Sequence, residues 1–391
     1  MINVEIGKGK PARNEVEVTL LGAGSNAGES IVVHLSDNKW MVIDSCKADG
    51  EVLPLYYLRQ KEVNLDDVLF VMCTHWHSDH VRGLSSVIGA CHNAKLILPA
   101  FFTQKKAYEV LFAGSVTNQS PVAKELHACL NVIREREGTL KIPMYLGPRD
   151  ELKTINCDEV NIEVRSFSPS DHMKDLYDQL LALSTFQEMA DTDMEPNMCS
   201  SVIDISTDNR QLNVLLGADL ECNREHKDNL NCKTGCNDCF AMGWCNIIVE
   251  SEKYKERPKY NYIKAAHHSS VTGYCPELMD TKIDKESTVI TTTVFENGAG
   301  VRLPKQDMLR LYLSKADNYF ITAQQSKPIV VNDGKTEIEE LKHNGVEKVK
   351  AVESQCGIIS TRFNINTGRI ASNDLWGYAR KVDEALIGNF T

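Results

Sequence analysis

Six consecutive residues, His75-Trp76-His77-Ser78-Asp79-His80, hold three of the chain's 11 histidines and a carboxylate. They follow the apolar run 68–72 after only Cys73 and Thr74. Imidazole nitrogen with carboxylate oxygen is a donor set that suits zinc first, then manganese or iron. In an extended segment His75 and His77, two residues apart, share one side, whereas Asp79 and His80 point elsewhere. One loop can thus serve two ions, His75 and His77 on the first, Asp79 and His80 on the second. Ser78 or Asp79 is a good N-cap, which pins the loop between a strand end and a helix start.

The surrounding sequence supplies elements to position such a loop. Segments 15–21, 31–35 and 38–43 read as strands separated by the Gly-rich turn GAGSNAGES and a second turn, and the third strand ends at Asp44. A helix is expected over 52–60, strands over 68–72 and 95–98, and a helix over 122–136; the rest of 101–156 carries mixed signals. Segment 159–167 alternates as a strand, and 171–189 reads as a helix capped by Ser170 or Asp171. After a break at Glu195-Pro196-Asn197, strands 201–206 and 212–216 form a hairpin whose second arm runs into Gly217-Ala218-Asp219. Strand 262–266 runs into His267-His268-Ser269-Ser270. Strand 288–294, a helix over 305–316 started by Pro304, strand 319–322 and a hairpin over 358–370 turning at Asn366-Thr367-Gly368 complete the chain. Hairpins followed by alternating strand and helix indicate a layered α/β architecture.

Composition narrows the class. With 391 residues, 42% hydrophobic and 25% charged, the chain is long enough for a sizeable core. Its 43 basic against 54 acidic residues give a net charge of -11, which argues against a broad nucleic-acid footprint while leaving room for a local basic groove. The first residues lack the apolar core of a secretion signal, and no window approaches a membrane span. Most of the 13 cysteines stand singly in apolar runs, as Cys73, Cys91, Cys129 and Cys199 do, the pattern of small buried hydrophobes in a reducing compartment. A cytoplasmic location is expected.

Three features fall at strand ends: the HxHxDH loop, Asp219 and the His267-His268 pair. Together with LLGAGSNAGESIVVH, WMVIDSC, CTHWHSDHVRGL, PNMCSSVIDI, VLLGADLE and YIKAAHHSS, they resemble the metallo-β-lactamase fold and, within it, the ComEC-like branch of hydrolases, over residues 15–325. The resemblance implies a four-layer αββα sandwich, with a hydrolase domain over 1–325 and a C-terminal extension over 326–391 packed on it. It also implies two divalent ions, zinc or manganese, the first held by His75 and His77 and the second by Asp79 and His80. Asp219 would bridge the ions and His267 would complete the second site, although the sequence leaves open which of His267 and His268 does so. The wider fold often has a histidine where Asn197 stands, so the first ion is held less tightly or takes the amide oxygen. HHSS replaces the branch's HHGS. The chemistry implied is hydrolysis by a metal-bridging hydroxide that Asp79 orients, with His268 or Ser269 touching the leaving group or a phosphate oxygen. A phosphodiesterase or nuclease acting on nucleic acid or nucleotide is expected first. A hydrolase of a lactone, thioester or β-lactam, and a metal-stabilised subunit of a larger assembly, are the alternatives.

Two further motifs stand apart. Cys232, Cys236 and Cys239, in an insert over 220–250, have the tight spacing of a structural zinc knuckle, with Cys245 or Cys222 available as a fourth ligand. Lys253, Lys255, Arg257 and Lys259 interleave with Tyr254, Tyr260 and Tyr262, a pattern suited to a phosphate-bearing substrate and equally to a solvated face.

Overall fold

The computed structural model describes residues 4–23, 28–98, 121–136, 144–145, 151–157, 160–176, 196–222, 242–296, 301–324, 329–331, 351–353 and 355–390. Two eight-stranded sheets face each other. The first is built from β1 (Glu15–Ala23), β2 (Glu29–Ser36), β3 (Lys39–Ile43), β4 (Val68–Met72), β5 (Lys95–Leu98) and β6 (Met144–Tyr145). The second contains β7 (Glu151–Cys157), β8 (Val160–Ser166), β9 (Ile203–Thr207), β10 (Asn213–Leu216), β11 (Tyr262–Lys264), β12 (Val289–Thr292) and β13 (Asn318–Ile321). The last strands divide: β14 (Cys356–Asn364) and β15 (Ile370–Gly377) extend the first sheet, in the order β15-β14-β1-β2-β3-β4-β5-β6, whereas β16 (Arg380–Lys381) closes the second, in the order β16-β13-β12-β11-β10-β9-β8-β7.

Period-two alternation explains the layers. On β3, Met41 and Ile43 enter the apolar interlayer between the sheets, while Trp40 and Val42 face outward into a second core. Helices cover that outer core: α1 (Leu53–Gln60), the single turn α2 (Ser78–Val81), α3 (Leu84–Ala90) and α4 (Pro121–Glu135), through Leu53, Leu58, Leu84, Val87, Leu126 and Leu130. On the far side, α5 (Gly243–Glu250), α6 (Glu252–Glu256), α7 (Pro276–Thr281), α8 (Gln306–Lys315) and α9 (Glu384–Asn389) bury Trp244, Tyr254, Leu278, Leu309 and Ile387 against the second sheet. The result is helix, sheet, sheet, helix. Full burial of one aliphatic side chain is worth roughly 1.5–3 kcal/mol, and every layer of the stack holds many.

Within each sheet the strands turn from antiparallel to parallel. β3, β4, β5 and β6 run parallel in the first, and β10, β11, β12 and β13 in the second. Parallel strands deliver their carboxyl ends to one edge, where open α/β sheets place their sites. Asp44, the HxHxDH loop, Asp219, His267-His268 and Thr293 all follow such ends.

The structure extends or bounds the sequence reading in three places. The C-terminal hairpin pairs β14 with β1 along nine residues, Glu15 opposite Asn364 through Ala23 opposite Cys356, and β16 pairs with β13, so the end of the chain supplies strands to both sheets of the sandwich. Residues 243–250, inside the cysteine-rich segment, form a helix with Trp244 and Ile247 in the core. Of the expected helix over 171–189, residues 171–176 are helical and the remainder lies outside the described residues.

Candidate metal centre

The loops at this edge depend on particular backbone. Gly28, at the end of the Gly-rich turn, has φ +86°, and a Cβ built there would fall 1.9 Å from the carbonyl oxygen of Asp79. Glycine is thus required both for its conformation and for its lack of a side chain. Across the cleft His267, His268 and Ser269 occupy three successive left-handed conformations, φ 46°, 50° and 54°. Non-glycine residues in that region cost of order 1–3 kcal/mol each and persist only where the surroundings hold them. Ser270 Oγ donates or accepts at 3.0 Å with His267 Nδ1, and the Tyr319 hydroxyl donates to Ser269 Oγ at 3.0 Å. Ser269 stands where the resembling motif has glycine, and its backbone is the one glycine would adopt freely.

Four imidazoles are pinned through Nδ1. His80 Nδ1 lies 2.8 Å from Asp44 Oδ2. His75 Nδ1 is 3.0 Å from the Thr74 hydroxyl, which donates to the same Asp44 oxygen at 2.6 Å. His268 Nδ1 is 2.7 Å from the Thr293 hydroxyl, which donates to Glu29 Oε2 at 2.6 Å. His267 Nδ1 is 2.6 Å from Glu221 Oε1. In each case Nδ1 carries a proton, donated to a carboxylate directly or through a threonine, so Nε2 is the atom that an ion would take. Outer carboxylates that fix tautomer and ring direction are the usual support of metal-binding histidines.

The bare nitrogens meet carboxylates. His268 Nε2 is 3.1 Å from Asp79 Oδ2 and 3.4 Å from Asp219 Oδ2; His80 Nε2 is 3.2 Å from Asp219 Oδ2 and 3.6 Å from Asp79 Oδ2. Asp219 Oδ1 turns the other way, 3.4 Å from Lys264 Nζ, which also donates to the Ala218 carbonyl at 2.8 Å and pairs with Glu29. Lys264 is fully buried. Burial would suppress its charge, but Glu29 and Asp219 outweigh that and raise its pKa.

Electrostatics describe a cavity that wants a cation. Burial disfavours the His80 imidazolium, yet Asp219, Asp79 and Asp44 around it hold its pKa well above the usual value. Burial also opposes ionisation of Asp219 and Asp79, but His80 and His268 keep both carboxyls below their ordinary range. His75 is the reverse case, pushed well below its ordinary pKa by burial and then by His80 and His77. Its Nε2 is buried and, like Asn197 Oδ1, has no hydrogen-bond partner among the described residues. An unpartnered buried acceptor costs about 1–3 kcal/mol, and a divalent ion is the partner that neutral imidazole nitrogen and amide oxygen would share.

Residues 24–110 match the family model described as Metallo-beta-lactamase superfamily. That segment holds the Gly-rich turn from Gly24 onward, Asp44 and the whole HxHxDH loop. Among solved structures, the metallo-beta-lactamase fold protein YhfI from Bacillus subtilis is 10% identical at a TM-score of 0.35, with 79% of this chain and 95% of that chain covered. The Rm3 metallo-beta-lactamase is 16% identical at a TM-score of 0.31, covering 65% and 77%. MIM-2 Metallo-Beta-Lactamase is 15% identical at 0.27, covering 52% of this chain and 58% of that one, so the chain aligns with less than two thirds of its length. None of the curated proteins compared matches the chain.

Against the ligand set that the superfamily resemblance implies, the structure sorts the expected residues into two groups. Asp79, His80 and Asp219 come together with His268, and it is this member of the doublet that faces them. Its expected contact with a leaving group is not what the geometry offers, because its ring is buried between Thr293 and the two aspartates, with Phe295 stacked 4.7 Å away. His75 and His77 lie side by side with ring centroids 4.9 Å apart. Asn197 and His267 sit together, Asn197 Nδ2 lying 3.4 Å from His267 Nε2 and donating to Glu221 Oε1 at 3.0 Å. Asp44, Thr74, Glu221, Glu29, Thr293 and Lys264 were not singled out as site residues from sequence. The first three adjoin motif residues, whereas nothing local marks the others.

The remaining motifs fare differently. Cys232, Cys236 and Cys239 lie outside the described residues; Cys222 and Cys245 are buried. The aromatic half of the run and its arginine are internal to the fold: Tyr254, Tyr260 and Tyr262 are core residues, and Arg257 donates twice to buried Asp204, at 3.0 and 2.8 Å, whereas the three lysines are exposed. Lys253, Lys255 and Lys259 pair with Glu256, Glu252 and Asp284. This stretch offers no cationic face to a phosphate. No helix among the described residues is long and apolar enough to cross a membrane.

Proposed function

We propose that this chain is a dinuclear metal-dependent hydrolase. The observation that carries the reading is the set of four imidazoles whose Nδ1 positions are tied to carboxylates, directly or through a threonine, with the Nε2 atoms of His80 and His268 against Asp79 and Asp219 and that of His75 buried without a hydrogen-bond partner among the described residues. Asp79, His80, His268 and Asp219 would hold one ion; His75 and His77 would hold the other, with Asp219 between them. Nitrogen and carboxylate donors in this number suit zinc, and manganese after it. Bound divalent ions supply an activated water and polarise the bond under attack.

The chain's own residues supply positioning. Lys264 and the Ala218 carbonyl fix Asp219 so that Oδ2 alone faces the imidazoles. Asp44 orients His75 and His80 together, so one carboxylate sets the direction of a nitrogen in each half of the centre. The Phe295 ring stacked on His268 walls one side of the cluster, and His77 is the more exposed of the loop histidines.

We further propose a phosphodiester as the substrate class, which rests on the resemblance of HxHxDH and HHSS to the ComEC-like motifs. The net charge of -11 and the internal pairing of residues 253–259 favour a compact phosphodiester, such as a nucleotide, over a long nucleic acid. The test is hydrolysis of a generic phosphodiester, a cyclic nucleotide, and single- and double-stranded nucleic acid, each with zinc or manganese and with chelator. Cleavage of a lactone or thioester and of no phosphodiester would replace this substrate class and leave the metal centre intact. A structural zinc on Cys232, Cys236 and Cys239 belongs to the same proposal: changing Cys236 and Cys239 to Ser should release one ion beyond those of the histidine centre.

A further inference from the structure

The doublet His267-His268 presents two imidazoles in one tight turn, and the two point to different groups. His268 Nε2 faces Asp79 and Asp219. His267 Nε2 faces Asn197. We infer that the doublet is split between the two ions, and that His267 supplies the third imidazole of the His75–His77 site, in place of the histidine that Asn197 replaces. This inference rests on the dinuclear reading above.

Several observations converge. His75 and His77 would give an ion two nitrogens and the shared Asp219 an oxygen, one protein ligand fewer than the four that Asp79, His80, His268 and Asp219 would give the other ion. Asn197, at the expected place of a third, turns its amide nitrogen to Glu221 and leaves Oδ1 without a hydrogen-bond partner among the described residues, although the side chain is 1% exposed. The same Glu221 oxygen that takes the amide hydrogen also lies 2.6 Å from His267 Nδ1, and Ser270 Oγ and Thr272 Oγ1 each lie 3.0 Å from that nitrogen. His267 therefore carries its proton on Nδ1, like His80 and His268, and its Nε2, 3.4 Å from the Asn197 amide nitrogen, is the atom left for an ion. Glu221 is fully buried and has the part toward His267 that Asp44 has toward His80. Finally, left-handed φ at His267, His268 and Ser269 in succession is a backbone cost that the surroundings must hold. It has a use if it turns two adjacent imidazoles toward two ions, because adjacent side chains on an ordinary extended strand would point to opposite faces of the sheet.

The experiment counts ions. Asparagine keeps a donor where Nδ1 stood and removes Nε2, so His267→Asn isolates ligation from the bond to Glu221; His267→Ala serves as a second variant should the first fail to fold. Purified chains are loaded with zinc, dialysed, and assayed by elemental analysis and by competition with a chromophoric chelator. The histidine centre of the parent should hold two ions. His267→Asn should hold one, the affinity of the other falling beyond the roughly 10- to 100-fold that loss of an outer partner costs. Combining His267→Asn with His75→Ala should remove no more than that one ion, whereas combining it with His268→Asn should remove both. Two ions in His267→Asn with unchanged chelator competition, or loss of both on combination with His75→Ala, would overturn the split doublet while leaving a dinuclear parent. A parent that binds no ion at the centre would instead overturn the function from which the inference starts.

Discussion

The two halves of the centre differ in how far the fold assembles them. In one, Glu29, His80, Asp219 and His268 place ligand atoms within 4.8 Å of one another, and all four are buried; Asp79 joins through His268 at 3.1 Å. In the other, His75 falls into a close group only with Asp44 and His80, while His77 and His267 belong to no such group among the described residues. The first half is held by strand ends from both sheets and by internal charge pairs. The second draws on the open side of the cleft and on a histidine displaced by Asn197. The difference teaches that preorganisation follows pairing: carboxylates and imidazoles that neutralise each other draw together, as Asp79, Asp219, His80 and His268 do, whereas neutral donors such as His75 Nε2 have no such attraction. A tight and a weak ion are the expected consequence.

The comparison breaks most severely at Asp79. Asp79→Ala should leave the chain folded, empty the tight half, and lower hydrolysis about a thousandfold or more, several kcal/mol of transition-state stabilisation; kcat/KM on the substrate identified above checks it. Gly28→Ala should act on the same half from outside it. Its Cβ cannot share space with the Asp79 carbonyl, and the left-handed φ alone costs about 1–3 kcal/mol, so thermal unfolding should fall by several degrees and the tight ion should be lost first.

Thr293→Val tests the pinning of His268 while keeping its volume. It should weaken the tight ion roughly 10- to 100-fold and spare the weak one, and Thr293→Ser should restore the parent's affinity. Equal weakening of both ions would mean the halves are not separately supported.

Protons give a subtler distinction. His80 has a raised folded pKa, so in the metal-free chain its protonation contributes stability that is full below about pH 6.5 and lost as pH rises through the raised value. His75 and His77 have lowered values, so the stability they contribute is present above about pH 6.5 and declines as pH falls below it. An ion needs neutral imidazole. At pH 7 the tight ion should therefore displace the proton of His80, whereas the weak ion should displace none from His75 and His77 and only that of His267, whose pKa Glu221 and Asp219 raise against burial, measurable by calorimetry in buffers of different ionisation enthalpy. The smallest effect is expected far from both halves: reversing Lys253 and Lys255 to Glu should leave hydrolysis within about twofold, since these exposed ion pairs are worth about 0–1 kcal/mol.

What sequence made legible follows the range of the interactions. The HxHxDH loop, Asp219 at a strand end and the paired histidines are local patterns, and they converge on one edge of the sandwich. Which member of the doublet faces Asp79 depends on a left-handed turn that His267-His268-Ser269-Ser270 does not announce. Glu29 and Thr293 are 264 positions apart, and neither carries a signal of its own. Lys264 reads as one more residue of an apolar strand until Glu29 and Asp219 are brought to it. The C-terminal hairpin was visible as a hairpin, but its pairing with β1 spans almost the whole chain, from Glu15 to Asn364, and no local pattern encodes that. In the basic run, alternation of lysine and tyrosine suggested a binding face; burial of the tyrosines turned it into a helix and strand packed on the core.

The most direct measurement is a zinc titration of the metal-free chain followed by calorimetry and elemental analysis, on the parent and on His80→Ala. Two ions at the histidine centre of the parent, one bound much more tightly than the other, and loss of the tight ion in His80→Ala are expected. A parent that takes up no zinc there, or a His80→Ala chain that keeps the parent's tight ion, would contradict the metal centre itself.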